Sequence, residues 1–256
     1  MNWSREQVRR ASQHWAWVPP GSDLVEIPGR LTAIVTPTRS VSVTWSTGTD
    51  HESTWHLVEE LAAEHDASSI AWTVTDDQPA LEEFLIARRA QFHDATEIQA
   101  QKLPAPSMAA GASLRCILVD SERTVRDATD IAARVWGGAS PTDEELREQV
   151  QEAAKPLDER AGFQVVAYFD DVPAATGGVT RVGEVARLWG ACTVPELRSR
   201  GAYRATTTAR MAIASDLGCS LALVNALVDT SAPILTRLGF TSFGLKRTYR
   251  LALDGG

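Results

Sequence analysis

Between Phe163 and Leu227 the hydrophobic pattern changes period in a way that few folds accommodate. FQVVAYFD, PAATGGV and VARLWGACTV read as three successive strands, the first two joined by the turn DDVP, and LALVNAL reads as a fourth. Between the third and fourth, Tyr203–Leu217 has helical spacing, with Ala205, Ala209, Ala212 and Ile213 placed to lie against a sheet. Strands interrupted by helices of this length require a sheet with helices packed on it, which is the α/β class. Upstream, LRCILV is a strand and TVRDATDIAARVWG a helix with Val125, Ala128, Ile131, Ala132 and Val135 inward; Glu144–Ala154 is a more polar helix. Downstream, Ala232–Leu238 is a short helix ended by Gly239, and Arg247–Leu253 a last strand.

The amino-terminal stretch has its own set of elements. Leu31–Val35 and Ser40–Trp45 form a hairpin around TPTR, and Trp55, Val58, Leu61 and Ala62 mark a helix. SIAWTVT is a strand, Leu81, Phe84 and Leu85 line a short helix, and Glu97–Leu103 is a terminal strand. QKLPAPSMAAGAS, from Gln101 to Ser113, combines prolines with small residues and reads as a crossing between domains. The expected division is 1–110 and 111–256; the first part holds 8 basic and 15 acidic residues and the second 17 and 18. SIAWTVTDDQPALEEFLIARRAQF and SLALVNALVDTSAPILTRLGF share an order of strand, acidic turn, short helix and aromatic residue, which fits duplication and fits ordinary strand–helix–strand logic equally.

Charge and composition narrow the partner. A net charge of -8 argues against bulk electrostatic grip on nucleic acid or an anionic membrane, so a small molecule or a protein is expected. Three cysteines without a CxxC pair suggest neither a disulfide scaffold nor a zinc module, and no metal site is expected. MNWSREQVRR lacks the apolar stretch of a secretory signal and no run is long and apolar enough to span a bilayer, so the expected location is the cytoplasm.

The most informative tract is LWGACTVPELRSRGAYRA, Leu188–Ala205. An apolar strand runs through Val194-Pro195-Glu196 into an arginine-rich turn and directly into a helix. Backbone amides of Arg200–Arg204 can converge on an anion at that helix start, and Gly201 removes the side chain that would obstruct its approach. Residues 181–210 hold six arginines and two acids, a local surplus in an acidic chain. An ordinary arginine-bearing loop before a helix carries the same residues when the motif stands alone.

The whole tract resembles the GCN5-related N-acetyltransferase (GNAT) family. The family pattern of Arg or Gln, two residues, Gly, one residue, Gly or Ala is met by Arg198-Ser199-Arg200-Gly201-Ala202, with Tyr203 where a small residue is usual. Pro195 and Glu196 before it, Ala205 after it, and SAPILTRLGF from Ser231 to Phe240 also fit, and the resemblance covers Leu114–Leu253. It implies a mixed central sheet flanked by helices and acetyl-CoA as acetyl donor. Ala191, Cys192, Thr193 and Val194 would offer backbone hydrogen bonds to pantetheine, while Arg198, Ser199, Arg200, Gly201, Ala202, Tyr203 and Arg204 would cradle the pyrophosphate. The strand ending near Asn225 would diverge from the preceding one to admit the thioester arm.

Glu184 is the acidic residue expected as general base, because relatives link a strand carboxylate to the incoming amine through water; Asp170 and Asp171 are explained as turn residues. In many relatives a tyrosine four residues before the GF glycine protonates the thiolate; here that position is Leu235, which leaves solvent, Ser231, Thr230 or another group. Cys192 has no His-activated partner motif and is expected to pack, and Trp189 is a candidate for the acceptor cavity. Trp45, Trp55 and Trp72 are expected in a core, and the five histidines on the surface or in packing.

The first part resembles the back half of the same fold, but WSTGTDHESTW stands where the phosphate loop belongs, and Asp50 and Glu52 would repel a pyrophosphate. The chain therefore reads as a tandem GNAT-like protein with a degenerate supporting domain and one active domain. That domain would transfer acetyl from acetyl-CoA to an amine of a small molecule or peptide, directly and without a covalent cysteine intermediate. An acyl-CoA-binding regulator that has lost proton transfer is the alternative, and a protein-interaction scaffold a third reading.

Overall fold

A computed structural model describes residues 3–13, 15, 18–19, 21–105, 113–137 and 141–253. The elements in chain order are α1 (Arg5–Gln13), β1 (Asp23–Ile27), β2 (Leu31–Thr36), β3 (Ser40–Ser46), α2 (His51–Glu64), β4 (Ser69–Thr75), α3 (Pro79–Ala87) and β5 (Gln91–Lys102). There follow β6 (Leu114–Leu118), α4 (Glu122–Trp136), α5 (Asp143–Ala153), β7 (Gly162–Phe169), β8 (Val172–Val182), β9 (Val185–Thr193), α6 (Ala202–Asp216), β10 (Leu221–Leu227), α7 (Ser231–Arg237) and β11 (Thr241–Ala252).

The chain forms two compact units that cut across the 110/111 division read from composition. One gathers Ser4–Gln99, Asn225–Thr236 and Ser242–Gly256; the other gathers Met1–Trp3, Ala100–Val224 and Arg237–Thr241. Strand pairing explains the first grouping: β4 takes β11 as its antiparallel neighbour, with Ser69–Thr75 in register against Ala252–Lys246. β3 and β4 pair in parallel through the crossover helix α2, and β1, β2 and β3 pair antiparallel. The core of this unit holds Trp72 and Trp55, 1% and 5% exposed, their rings stacked with centroids 6.0 Å apart. The Trp72 indole N–H donates to Ser46 Oγ at 3.1 Å, so the expected core packing of both tryptophans is what the fold uses.

In the other unit β6, β7, β8 and β9 form an antiparallel meander, and β10 joins β9 in parallel. Alternation along β7 divides its side chains between two layers. Val166 and Tyr168 pack with Val125, Ala128 and Ile131 of α4, whereas Ala167 and Phe169 lie with Ala202 of α6. α4 and α6 therefore cover opposite faces. α4 is opened by Ser121, whose hydroxyl and Thr124 form a capping box, and α5 by the corresponding pair Thr142 and Glu145.

Several boundaries differ from the sequence reading for identifiable reasons. α1 carries too few apolar residues to show a period, although its Val8 and Ser12 are buried, and β1, with Leu24, Val25 and Ile27 in five residues, is too short to show one. β5 and β11 begin six residues earlier than expected because polar residues such as His93, Asp94 and Lys246 interrupt their apolar pattern. Asp170 and Asp171 alone make the β7–β8 turn, both at positive φ, while Val172 and Pro173 already belong to β8, the proline lying at a register shift opposite Tyr168. Of the expected interdomain crossing, Gln101 and Lys102 extend β5, and 106–112 lie outside the described residues.

Candidate cofactor and acyl-transfer site

Parallel pairing between β9 and β10 lasts three residues, from Val185↔Leu221 to Arg187↔Leu223, and then stops although both strands continue. The divergence that the resemblance implied is thus present. At the same level β9 bulges: Gly178 pairs with Trp189 and Thr176 with Cys192, so Gly177 alone opposes Gly190 and Ala191. Gly190 takes φ of +59°, a left-handed conformation that suits glycine. Beyond the bulge the Val194 N–H donates to the Ala174 carbonyl at 2.9 Å, which turns the neighbouring Thr193 backbone to the edge away from β8. There the Thr193 carbonyl accepts Arg198 Nε at 3.3 Å, while Thr193 Oγ1 is buried without a partner.

After Val194 a 3-10 turn, Pro195–Leu197, leads to Arg198, and the backbone then takes positive φ at two alternate residues, Ser199 at +61° and Gly201 at +87°. Alternation of this kind turns successive N–H groups inward to a concave anion seat. Gly201 caps α6 without a side-chain hydrogen bond, and the first helical bond is Ala205 N–H to the Gly201 carbonyl at 2.9 Å. The N–H groups of Ala202, Tyr203 and Arg204 thus have no partner within the helix. No acid lies in the first turn; Arg204 does, at the positive end of the helix dipole. Glu196 is drawn to Arg134, at 3.2 Å, and among the described residues no carboxylate pairs with Arg198, Arg200 or Arg204, all of which are exposed. The Arg200 guanidinium lies over Phe169, 5.2 Å from the ring centroid. Concentrated cations and inward N–H groups fit a diphosphate.

Tyr203 leaves the helix start intact. α6 begins at Ala202, and the Tyr203 carbonyl accepts both Thr206 Oγ1 and Thr207 Oγ1 at 2.9 Å; burial pushes the phenol pKa up. Cys192 is 5% exposed among Val125, Ala128 and Ile131, and desolvation raises its thiol to about 11, so it packs as a protonated apolar group. Trp189 closes over Gly178, where a Cβ would collide with the ring, and its indole N–H is held by Thr180 Oγ1 at 2.9 Å. Trp136, at the end of α4, is 59% exposed and approaches a Cβ position at Gly190 to 3.8 Å.

The structure also places Glu184, the expected base, and Leu235, which stands at the position of the family tyrosine. Glu184 lies in the β8–β9 turn, where its carboxylate accepts Ser220 Oγ at 2.6 Å; six residues of extended chain, about 20 Å, separate it from Gly190. Glu184 is therefore a turn residue at the end of β9 away from the bulge. Leu235 is 1% exposed, a core residue of α7 rather than a cavity wall.

What the sequence reading missed is Arg210. The inner stripe of α6 runs through Ala202, Thr206, Arg210 and Ala214, and Ala212, expected inward, is exposed. Apolar periodicity has no place for a buried arginine; of the residues expected inward Ala205 is buried and Ala209 and Ile213 are half-buried, while Arg210 and the threonines fill the rest of the inner face. The signal for Arg210 was the glycine doublet in β8, since glycine inside a strand marks close approach. Gly177 clears the Arg210 side of the sheet, and Gly178 the Trp189 side.

Compared by sequence, the chain matches no family model and no curated protein. Compared by structure, it is similar over most of its length to acetyltransferases of one fold. A GCN5-related N-acetyltransferase from Kribbella flavida has a TM-score of 0.66 at 19% identity, covering 92% of this chain and 90% of that one. One from Sphaerobacter thermophilus has a TM-score of 0.65 at 15% identity, covering 97% and 85%. A tandem GNAT protein from the clavulanic acid biosynthesis pathway has a TM-score of 0.60 at 16% identity, covering 92% and 85%. The chain has the tandem fold of the GCN5-related N-acetyltransferases.

Proposed function

We propose that this protein is an N-acetyltransferase that takes acetyl from acetyl-CoA and passes it to an amine of a small molecule or peptide. The observation that carries the reading is the uncapped start of α6, where left-handed Ser199 and Gly201 stand with the exposed Arg198, Arg200 and Arg204, none of which is paired with a carboxylate among the described residues. Ala202, Tyr203 and Arg204 would donate backbone hydrogen bonds to the pyrophosphate, and the outward edge of β9 from Gly190 to Thr193 would hold the pantetheine amides. Acetyl-CoA would supply an activated carbonyl carbon, to which an amine forms a C–N bond as the C–S bond breaks, one proton leaving the nitrogen and one reaching sulfur. Burial of Cys192 favours direct transfer over a cysteine-bound intermediate.

A single site per chain is supported by what stands at the matching place in the other unit. The start of α2 is capped by Asp50, whose carboxylate accepts the Ser53 N–H at 3.0 Å, so a fixed negative charge occupies the position an anion would take.

The remote Glu184 and buried Leu235 favour a second reading, an acyl-CoA-binding regulator without efficient turnover. Thiol release from acetyl-CoA, measured with a panel of small amines and peptide amino termini, separates the two. Acceptor-dependent release supports the enzyme; tight CoA binding with no release above the hydrolytic background would leave the regulator.

A further inference from the structure

Arg210 is a cation in the core, 1% exposed, whose titratable neighbours are the Tyr203 phenol and the Cys116 thiol rather than a carboxylate. Its guanidinium is held by neutral acceptors only. Nε donates to the Thr206 carbonyl at 3.3 Å and Nη2 to Thr207 Oγ1 at 3.2 Å, both on its own helix. Nη1 crosses to the sheet and bridges the carbonyls of Gly178 and Trp189, at 3.2 and 3.3 Å. Desolvation lowers its pKa to about 10, which leaves it charged at neutral pH. A buried charge without a counter-ion costs stability, and methionine of similar length would remove that cost. The β8 sequence also makes room for it, because a Cβ at Gly177 would stand 2.9 Å from Arg210 Cζ.

The place where Nη1 reaches the sheet gives this costly arrangement a use. Gly178 and Trp189 are the last paired residues before the bulge. The peptide that carries the Trp189 carbonyl also carries the Gly190 N–H, and in a planar trans peptide the two point in opposite directions. With the carbonyl tied toward β8 and Arg210, the Gly190 N–H is aimed the other way, to the edge where β9 has already parted from β10. Withdrawal of electron density through the carbonyl also makes that N–H a stronger donor.

We propose that Arg210 is a positioning residue that fixes the Trp189–Gly190 peptide, so that the Gly190 N–H is held ready to receive the oxygen of the reacting thioester. The peptide-fixing part stands on the free protein alone; the thioester part rests on the proposed acetyl-CoA reading.

The test compares the full-length protein with Arg210→Met, Arg210→Lys and Gly177→Ala. In free protein labelled with 15N-glycine, R210M should move the Gly190 amide resonance well beyond the scatter of distant glycines, with R210K intermediate. G177A keeps the charge but displaces the guanidinium, and should shift the same resonance in the same sense even if R210M fails to fold. A Gly190 resonance that stays in place in folded variants overturns the proposal. With [1-13C]acetyl-CoA bound, the thioester carbonyl band should move to higher wavenumber in R210M while affinity for CoA changes less than about threefold, and acceptor turnover should fall in kcat roughly tenfold to a hundredfold, the range for loss or misplacement of one oxyanion donor. An unmoved band in R210M overturns the thioester part. If wild-type protein binds no acetyl-CoA, the functional reading fails and the thioester part with it, while the Gly190 resonance still decides the peptide-fixing part.

Discussion

Gly201 sets the direction of the three free N–H groups at the start of α6, and its φ of +87° is closed to most side chains. A Cβ there would meet Leu114 at 3.5 Å, an ordinary contact, so the cost of Gly201→Ala is conformational rather than steric. That cost is about 1–2 kcal/mol, and relaxing it turns the amides; thermal denaturation should show a modest loss of stability and calorimetry a CoA affinity weakened about tenfold or more, since three charge-assisted bonds share the geometry. Cys192 gives the opposite prediction. Cys192→Ala should retain acyl transfer, and the wild-type thiol should resist iodoacetamide at pH 8. Its raised pKa means that the folded state favours the protonated form; this contribution is complete below the ordinary thiol range and disappears as the pH rises toward about 11. Both residues were legible in the sequence, Gly201 through its arginine-rich turn and Cys192 through the absence of an activating partner. Arg210 was not, because its role depends on two carbonyls in different strands that no local pattern brings together.

The elements that build the site are a strand that bulges, a turn that changes backbone sign and a helix left uncapped. Each was visible as a type, since apolar runs, a glycine after arginines and helical spacing are local signals. The three-residue limit to β9–β10 pairing and the bulge opposite Gly177 are properties of register, which a one-dimensional pattern does not specify. Arg198 connects these elements, since its Nε ties the turn to the Thr193 carbonyl. Arg198→Glu should weaken CoA binding about tenfold or more by placing a carboxylate beside the diphosphate, with an unchanged circular dichroism spectrum and a melting temperature close to wild type, because the side chain is exposed. The wild-type affinity should fall with added salt and that of R198E should fall less steeply. Equal affinities would remove Arg198 from the cradle. The position of Glu184 is an element-scale property too: two strand-flanking residues at a hairpin read like a strand start, and only the observed turn puts the carboxylate at the closed end of the strand pair.

At the scale of the molecule, the division read from composition and the compact units disagree because charge balance follows chain order and strand pairing does not. β4 is completed by the last strand of the chain, over seven paired residues. Arg247 adds a bidentate pair with Glu82 of α3, which Tyr249 joins through its hydroxyl, and each carboxylate contact holds Glu82 below its usual pKa. A fragment ending at residue 110 lacks that strand and these partners, so it should show no cooperative thermal transition by circular dichroism; a sharp transition with native-like Trp55 and Trp72 fluorescence would show that the first part folds without β11. No helix among the described residues is long and apolar enough to cross a membrane, and of the two helix starts compared, that of α6 is cation-rich while that of α2 is occupied by Asp50. The most direct test of this asymmetry is calorimetric titration of the whole chain with CoA. One site per chain is expected, lost or severely weakened in R198E while the fold is retained; no binding, two equivalent sites, or full affinity in R198E would contradict the single cation-rich cradle.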